Sequence, residues 1–296
     1  SRRILDFCRG GKKDRKEMED HHKLRRVMDL SNILSVSDIT KIYESGKRQV
    51  VGVKNISFCV EEGDFVSIIG PSGCGKSTLL RCIACFEKTN NGKICLNERP
   101  VTKPAPDRFM IFQGLDQLFP WFTLKENIVF AMKVVDKGQK NFNKKAEHYL
   151  ELVGLEGFGD FYPYQLSGGM KQRASIARAL SVRPKLLLMD EPFGSLDAFS
   201  RRAIHQMFLK VWQKTGVTVI FVTHDIEEAI DLSDKILVFS EGRLKGSIEN
   251  PLSRPRERDV SVYRSFLLKV SDFLDEECDG CLGLEELSAA GAKLAF

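Results

Sequence analysis

The chain has no long apolar run, and this absence excludes one class of protein. Its 296 residues hold only short apolar stretches, such as VTVIFV at residues 217–222. A membrane-spanning helix needs about 20 consecutive apolar residues. No short apolar segment follows the basic start of the chain, as a secretory signal would require. We therefore expect a protein that neither spans a membrane nor is secreted. Its apolar content of 43% is enough for a large folded core.

An excess of charge of one sign is also missing beyond the first 33 residues. The net charge is +5, and residues 1–33 hold 10 Lys and Arg against 6 Asp and Glu, a balance of +4. Two interpretations of this basic segment remain open. It is either a solvated lead-in, helical in part or disordered, or an arm that contacts anionic lipid or nucleic acid.

The cysteines lack the regular pairing of a disulfide framework, which favours a reducing compartment. There are eight of them, and Cys278 and Cys281 form a CxxC pair in a polar turn. Two ligands do not complete a zinc site, so this pair is left open between a metal, a disulfide and no role. The other cysteines that we interpret as buried small apolar residues are Cys59, Cys74, Cys82, Cys85 and Cys95.

The order of the patterns indicates an α/β protein. Residues 34–69 alternate apolar and polar side chains in short pieces typical of strands, and apolar strands alternate with amphipathic helices after residue 180. Such alternation predicts a mainly parallel sheet covered on both faces. Residues 115–180 are helical in pattern and interrupt this body. We predict three parts, namely residues 1–33 as an extension, residues 34–250 as the folded domain, and residues 251–296 as a linker and helical tail.

A glycine-rich loop provides the first chemistry. GPSGCGKST, at residues 70–78, follows the apolar strand FVSII and precedes a helical pattern. Glycines let backbone N–H groups turn towards a phosphate, and the helix adds its positive end. Lys76 can then reach the β- and γ-phosphates, and Ser77 can bind Mg²⁺. The residues predicted to bind the nucleotide here are Gly70, Pro71, Ser72, Gly73, Cys74, Gly75, Lys76, Ser77 and Thr78.

Polar residues end three further strands and suggest hydrolysis. Asp190 ends LLLMD and is predicted to bind Mg²⁺, and Glu191 follows it as a base or positioner for the attacking water. His224 ends the next apolar strand and can contact the γ-phosphate. Gln113 ends RFMIF and can touch Mg²⁺ or the water. Because the carboxyl ends of parallel strands share one edge, we expect these side chains to lie close together.

A second candidate phosphate binder raises a question about stoichiometry. LSGGMKQR, at residues 166–173, places a serine and two glycines at the start of a helical pattern. Such a helix start is a site for an anion, yet the chain already has one phosphate loop.

Together these motifs resemble the nucleotide-binding subunit of ABC (ATP-binding cassette) transporters, in content and in order. The resemblance covers about residues 35–250 and implies the P-loop ATPase fold, with a mixed, mainly parallel sheet, an N-terminal antiparallel β piece and an inserted helical subdomain. It implies ATP and Mg²⁺ as cofactors and ATP hydrolysis as the activity. It also implies that Tyr43 stacks on the adenine.

The same resemblance answers the question of the second binder. In this family two copies pair head to tail, and Ser167, Gly168 and Gly169 of one copy close on the γ-phosphate held by the other. ATP is then shared between the copies, and Asp197 lies at the seam between them. The family also has a cysteine at the position of Cys74, from which we expect sensitivity to thiol reagents.

Three longer stretches resemble one branch of the family. FQGLDQLFPWFTLKENI, DEPFGSLDAFSRR and KVWQKTGVTVIFVTHDIEEAI are similar to the ATPase subunits of importers for nitrate, aliphatic sulfonates, taurine and bicarbonate. This implies a separate permease, an extracytoplasmic solute-binding protein, and a peripheral place on the cytoplasmic face of the plasma membrane. The apolar cluster at residues 119–122 is interpreted as subdomain core, as a docking groove for the permease, or as a mixture of both.

Two alternatives remain open. The chain could serve another transporter branch, or it could be an ABC ATPase that acts on nucleic acid or ribosomes. The second is disfavoured because such proteins usually carry two cassettes or a long coiled coil, and here there is one phosphate loop and no heptad run. We therefore expect no nucleic acid partner.

Overall fold

The computed structural model describes residues 32–275, except residues 47, 137, 139, 257 and 259. Its strands are β1 (Asn32–Ser45), β2 (Arg48–Glu61), β3 (Phe65–Ile69), β4 (Asn91–Leu96), β5 (Arg99–Pro100), β6 (Arg108–Ile111), β7 (Leu186–Asp190), β8 (Thr218–Val222), β9 (Lys235–Ser240) and β10 (Arg243–Glu249). Its α-helices are α1 (Lys76–Ile83), α2 (Leu124–Val135), α3 (Phe142–Leu152), α4 (Gly168–Ser181), α5 (Ala198–Thr215), α6 (Ile226–Leu232) and α7 (Ser261–Asp275).

A six-stranded sheet forms the centre, in the order β10-β9-β3-β8-β7-β6. Four neighbouring pairs are parallel, and only β9 and β10 are antiparallel among the strands of this sheet. The predicted mixed, mainly parallel sheet is thereby confirmed. The parallel strands β3, β7 and β8 are buried along their whole length, as expected for a sheet covered on both faces.

Side chains that alternate along the strands divide the core into two layers. On β8, Val219 and Phe221 pack towards the helical side, whereas Ile220 and Val222 pack towards α1 and the second sheet. Successive residues of a strand point to opposite faces, so each central strand contributes to both layers. The continuous apolar runs in the sequence follow from this burial on two sides.

The second sheet is antiparallel, in the order β2-β1-β4-β5, and packs over α1. This is the predicted N-terminal antiparallel β piece. β1 begins at Asn32, so the last two residues of the predicted extension belong to a strand, and Ile33 is buried. Cys59 was expected to be buried, but it is exposed on β2. Its neighbour Val60 takes the inward position, because inward and outward positions alternate along the strand.

Three helices, α2 to α4, lie between β6 and β7 and form the helical insertion. Thr123 and Glu126 cap the start of α2 with a reciprocal pair of hydrogen bonds. Asn127 is fully buried, and its amide donates to the backbone oxygens of Phe119 and Phe122. A buried amide with these partners fixes the aromatic loop to the insertion.

The C-terminal helix α7 packs on the body through Tyr263, Phe266 and Val270, which are buried against α6 and β9. The predicted helical tail is thus a helix whose apolar residues fall at amphipathic spacing on the side that faces the body. No helix among the described residues is long and apolar enough to cross a membrane. Most of the N-terminal extension and the Cys278–Cys281 pair lie outside the described residues.

Candidate functional site

The parallel strands of the central sheet bring their carboxyl ends to one edge, and the phosphate loop and the predicted catalytic residues lie there. The phosphate loop follows β3, Asp190 ends β7, and His224 comes two residues after β8. Gln113 comes two residues after β6.

The phosphate loop is closely packed and admits no side chain at two of its glycines. Gly75 has a φ of 102°, and a Cβ there would lie 2.1 Å from the backbone oxygen of Gly52. A Cβ on Gly70 would lie 2.2 Å from the backbone oxygen of Phe239. Only glycine fits such positions, so the loop can adopt this conformation only with glycine at both.

Lys76 lies folded into its own loop. Its Nζ donates to the backbone oxygens of Gly70 at 2.8 Å and Pro71 at 2.7 Å, and the residue is only 4% exposed. A buried ammonium needs hydrogen-bond partners, and here the loop itself supplies them. A phosphate that enters the loop would compete for this ammonium, because a charged acceptor binds it more strongly than a carbonyl does.

Ser77 and Asp190 meet beside the loop. The Ser77 hydroxyl donates to Asp190 Oδ1 at 2.8 Å. Burial raises the pKa of Asp190, although the bond from Ser77 acts in the opposite direction. A hydroxyl and one carboxylate at this distance suit Mg²⁺, which takes oxygen ligands and keeps several waters. The described residues hold no cluster of three or more His, Cys, Asp and Glu side chains for a metal.

The three predicted catalytic residues converge on one oxygen atom. Glu191 Oε2 lies 3.2 Å from His224 Nδ1 and accepts from Gln113 Nε2 at 3.4 Å. The backbone of Glu191 has a φ of 43°, a left-handed conformation that is unusual for a side chain other than glycine. Its N–H donates to the backbone oxygen of Val222 at 3.0 Å. This hydrogen bond between the ends of β7 and β8 holds the Glu191 backbone in this conformation, with the carboxylate next to His224.

The second predicted phosphate binder starts α4. Ser167 is exposed, and its hydroxyl accepts from the backbone N–H of Met170 at 3.3 Å. A Cβ on Gly168 would lie 2.9 Å from the side chain of Leu115. The helix start therefore lies against the loop that follows Gln113, with its serine open to solvent.

Asp197 and Tyr43 occupy different surroundings. Asp197 is exposed and caps α5 by accepting from the backbone N–H of Ser200 at 2.9 Å, and this bond lowers its pKa. The Tyr43 hydroxyl donates to Glu87 and lies 3.3 Å from Thr78 Oγ1. Burial, followed by the bond to Glu87, raises the pKa of Tyr43. The roles of Asp197 at a seam and of Tyr43 on adenine stay predictions.

The structure argues against the expected thiol sensitivity of Cys74. The residue is 7% exposed, and burial raises the pKa of its thiol. The thiolate is the reactive form, so both effects protect the group.

Sequence reasoning missed a buried polar cluster next to the site. Glu228, His205 and Thr223 are linked by hydrogen bonds under the turn that carries His224. The only signal in the sequence was a pair of polar residues, His205 and Glu228, at positions where helical spacing predicts burial.

These features define a P-loop nucleoside triphosphatase, in which the Ser77–Asp190 pair and the Glu191–His224 pair lie at the sheet edge that carries the phosphate loop. The ABC transporter family model matches residues 53–194. An uncharacterised ABC transporter ATP-binding protein of Methanocaldococcus jannaschii is 41% identical over 263 residues, covering 88% of this chain and 97% of that protein. The chain belongs to the family of ABC transporter ATP-binding proteins, and it is an ATPase.

Two further relatives are named after the solutes that are imported. An aliphatic sulfonates import ATP-binding protein of Bacillus cereus is 43% identical over 239 residues, covering 80% of this chain and 94% of that protein. A nitrate import ATP-binding protein of Synechocystis is 40% identical over 238 residues, covering 80% and 88% respectively.

A solved structure supports the fold independently. It is a dimeric, post-hydrolysis state of an ATP-binding cassette bound to ADP and Pi, 31% identical in sequence with a TM-score of 0.66. The match covers 74% of this chain and all of that one. The predicted P-loop ATPase fold is confirmed.

Proposed function

We propose that this chain is the ATP-hydrolysing subunit of an importer and drives uptake of a small anion, such as nitrate, a sulfonate, taurine or bicarbonate, through a separate permease. The observation that carries the ATPase chemistry is the convergence of His224 and Gln113 on Glu191, beside the buried Ser77–Asp190 pair. The class of solute rests on the named relatives.

In the proposed reaction Glu191 orients the attacking water and takes up its proton, as a general base does. His224 holds the carboxylate at Nδ1 and leaves its other ring nitrogen for a phosphate oxygen. Lys76 leaves the oxygens of its own loop and binds the phosphates. Ser77, Asp190 and Gln113 would hold Mg²⁺, which neutralises charge on the phosphates.

The nucleotide is shared between two copies of the chain in this proposal. The helix start at Ser167 does not form a complete phosphate site by itself, because the Ser167 hydroxyl caps the helix and is otherwise open to solvent. The head-to-tail arrangement would supply it with the γ-phosphate held by the partner copy. The solved relative is dimeric and holds ADP and Pi, which supports this assembly.

The permease docks in an apolar groove between the sheet and the insertion. The groove has a volume of about 960 Å³, and its lining includes Phe86, Phe112, Phe130 and Val134, which are all at least 42% exposed. Phe119 of the predicted apolar cluster lines it as well. A contiguous exposed apolar surface is typical of an interaction site. It begins next to Gln113, so contact with the nucleotide and contact with the permease would influence each other.

The other aromatic residues of the cluster differ in exposure, which is compatible with the mixed interpretation of core and docking surface. Phe122 is half-buried and contacts Phe119 and Phe130. Trp121 is 65% exposed. With the permease bound, the chain would lie at the cytoplasmic face of the membrane, and a solute-binding protein would deliver the anion on the other side.

Reconstitution tests the proposal. The chain is purified with its permease, placed in liposomes with ATP inside, and supplied with the solute-binding protein and labelled nitrate, bicarbonate, taurine or an alkyl sulfonate. We expect ATP-dependent accumulation of at least one of these anions and none with Glu191→Gln. ATP hydrolysis without uptake of any anion, but with uptake of a cationic or neutral control solute, would contradict the assigned solute class and leave the ATPase assignment intact.

A further inference from the structure

A buried cluster of three polar side chains lies behind the catalytic edge. Glu228 on α6 is 5% exposed, His205 on α5 is 7% exposed, and Thr223 between β8 and α6 is 2% exposed. Glu228 Oε1 lies 3.0 Å from His205 Nε2, and Glu228 Oε2 accepts from the Thr223 hydroxyl at 2.5 Å. Both oxygens of the carboxylate are therefore used inside the protein, which fixes its orientation.

This cluster holds the backbone on both sides of His224. Thr223 comes directly before it, and the Thr223 hydroxyl also accepts from the backbone N–H of Asp225, directly after it, at 3.0 Å. The Thr223 N–H donates to the backbone oxygen of Ile68 in β3. Asp225 in turn caps α6 by accepting from the N–H of Glu228. His224 itself is exposed, so these neighbours define where its ring can point.

The cluster also touches the segment between Glu191 and α5. The His205 ring contacts the ring of Phe193, with centroids 5.0 Å apart. The Arg201 guanidinium donates to the backbone oxygen of Leu196 at 3.0 Å and lies 3.7 Å from the Asp225 carboxylate. Residues 191–201 and residues 223–228 are thus joined through the side chains of His205 and Arg201.

The charge of the cluster is balanced within the fold. Burial acts to raise the pKa of Glu228, but the bonds from His205 and Thr223 outweigh it and the pKa is lowered. The carboxylate is therefore ionised at neutral pH. A buried charge left without its partners is costly, so the three side chains are expected to keep one arrangement.

We propose that Glu228, His205 and Thr223 are positioning residues for ATP hydrolysis, which hold His224 against Glu191 and connect its position to the segment that carries Asp197. The inference rests on the proposed role of His224 in hydrolysis. In a dimer, a shift of the Asp197 segment at the seam would reach His224 through α5 and this cluster. The function of the cluster would then be to link catalysis to closure of the two copies.

Two substitutions at Thr223 form a matched pair for the test. Thr223→Val keeps the shape and removes the hydroxyl, whereas Thr223→Ser keeps the hydroxyl. We expect Thr223→Val to lower kcat about tenfold to a hundredfold, the range that a displaced catalytic group can cost, with the KM for ATP within about twofold of wild type. Thr223→Ser should stay near the wild-type kcat, and Glu228→Gln should behave like Thr223→Val.

A control variant separates positioning from loss of stability. Val211→Ala removes buried apolar contacts on the same helix as His205 without touching the cluster. We expect it to lower the melting temperature at least as much as Glu228→Gln does, and to change kcat less than about twofold. If kcat follows the melting temperature across all these variants, the positioning role is wrong.

A double substitution tests whether the cluster acts through His224. In the His224→Ala background, Glu228→Gln should produce no further fall in kcat, because the residue that it positions is gone. Additive effects would overturn the proposal. If His224→Ala keeps the wild-type kcat, the proposed role of His224 itself fails, and the two failures are thereby distinguished.

A readout without ATP comes from the histidine side chains in ¹⁵N nuclear magnetic resonance spectra. The signal missing in His224→Ala belongs to His224, and Glu191→Gln should move it because Nδ1 faces that carboxylate. We expect Thr223→Val to move the same signal and Thr223→Ser to leave it in place. A His224 signal unchanged by both Thr223→Val and Glu228→Gln would contradict the proposal.

Discussion

Two helix starts in this chain have the same local features but differ in what the fold adds to them. At α1 the helix start combines a glycine-rich loop, a buried lysine and the Ser77–Asp190 pair. At α4 a serine and two glycines begin the helix, and Ser167 is left exposed. In the proposed mechanism the first is a complete phosphate site, which we call the cradle, and the second is one side of a site that a partner copy completes, which we call the wall. The comparison suggests that a helix N-terminus becomes a binding site only with the elements packed around it.

The largest effect is expected at Glu191, the proposed general base for the ATP that lies between the cradle of one copy and the wall of the other. Glu191→Gln should lower kcat by about a hundredfold to ten-thousandfold, the contribution of a general base, and leave ATP binding intact. Uncleaved ATP would then hold two copies together. Size-exclusion chromatography with ATP and Mg²⁺ should show a dimer, and a monomer under these conditions would speak against the shared site.

The second-largest effect is expected at Lys76 and concerns ATP binding by the cradle of a single copy. Lys76→Ala removes the ammonium that we propose binds the phosphates, and a hydrogen bond to a charged group is worth about 1.5–3 kcal/mol. We expect the Kd for ATP in the monomer to rise about tenfold to a hundredfold, measured by titration calorimetry. The exposed Lys214→Ala on α5 is the control and should bind ATP as wild type does. Equal affinity of both variants would mean that Lys76 does not bind phosphate.

A smaller effect is expected at Ser167, at the start of α4. Ser167→Ala removes the cap of α4, at a cost of about 1 kcal/mol in stability, and the proposed contact with the partner's phosphate. ATP binding by the monomer should stay within about twofold of wild type, while ATP-dependent dimerisation in the Glu191→Gln background weakens by about tenfold. Analytical ultracentrifugation measures the second quantity. Weaker binding by the monomer would place Ser167 in its own cradle instead.

The smallest effect concerns Cys74, which lies in the phosphate loop. Because burial raises the pKa of its thiol, the thiolate of Cys74 is scarcer than that of an ordinary thiol at every pH below that pKa. Alkylation by iodoacetamide, followed by peptide mass spectrometry, should be slower at Cys74 than at the exposed Cys59 throughout pH 7–9. Faster reaction at Cys74 would show that the loop opens readily.

Much of this comparison could be predicted from the sequence, since it depends on local patterns. The strand before GPSGCGKST and the residues at the ends of β6, β7 and β8 predicted that Gln113, Glu191 and His224 would meet, because parallel strands share an edge. The exposed Cys59 was missed because a short apolar stretch does not reveal which face of a strand is inward.

The remaining features depend on contacts between distant segments. The left-handed backbone of Glu191 is held by Val222, and His205 meets Glu228 only because α5 packs beside α6. No spacing rule within one helix or strand predicts such a pair. The buried cluster was therefore visible only in the structure.

The most direct test of the shared site mixes two defective copies. In the Glu191→Gln background, one copy carries Lys76→Ala and the other carries Ser167→Tyr, so that neither can form an intact site with its own kind. A mixed pair has one site with both defects and one with neither. The account predicts an ATP-dependent dimer in the mixture and none with either variant alone. An absent mixed dimer, or a Ser167→Tyr copy that dimerises by itself as well as its parent, would contradict a nucleotide held between two chains.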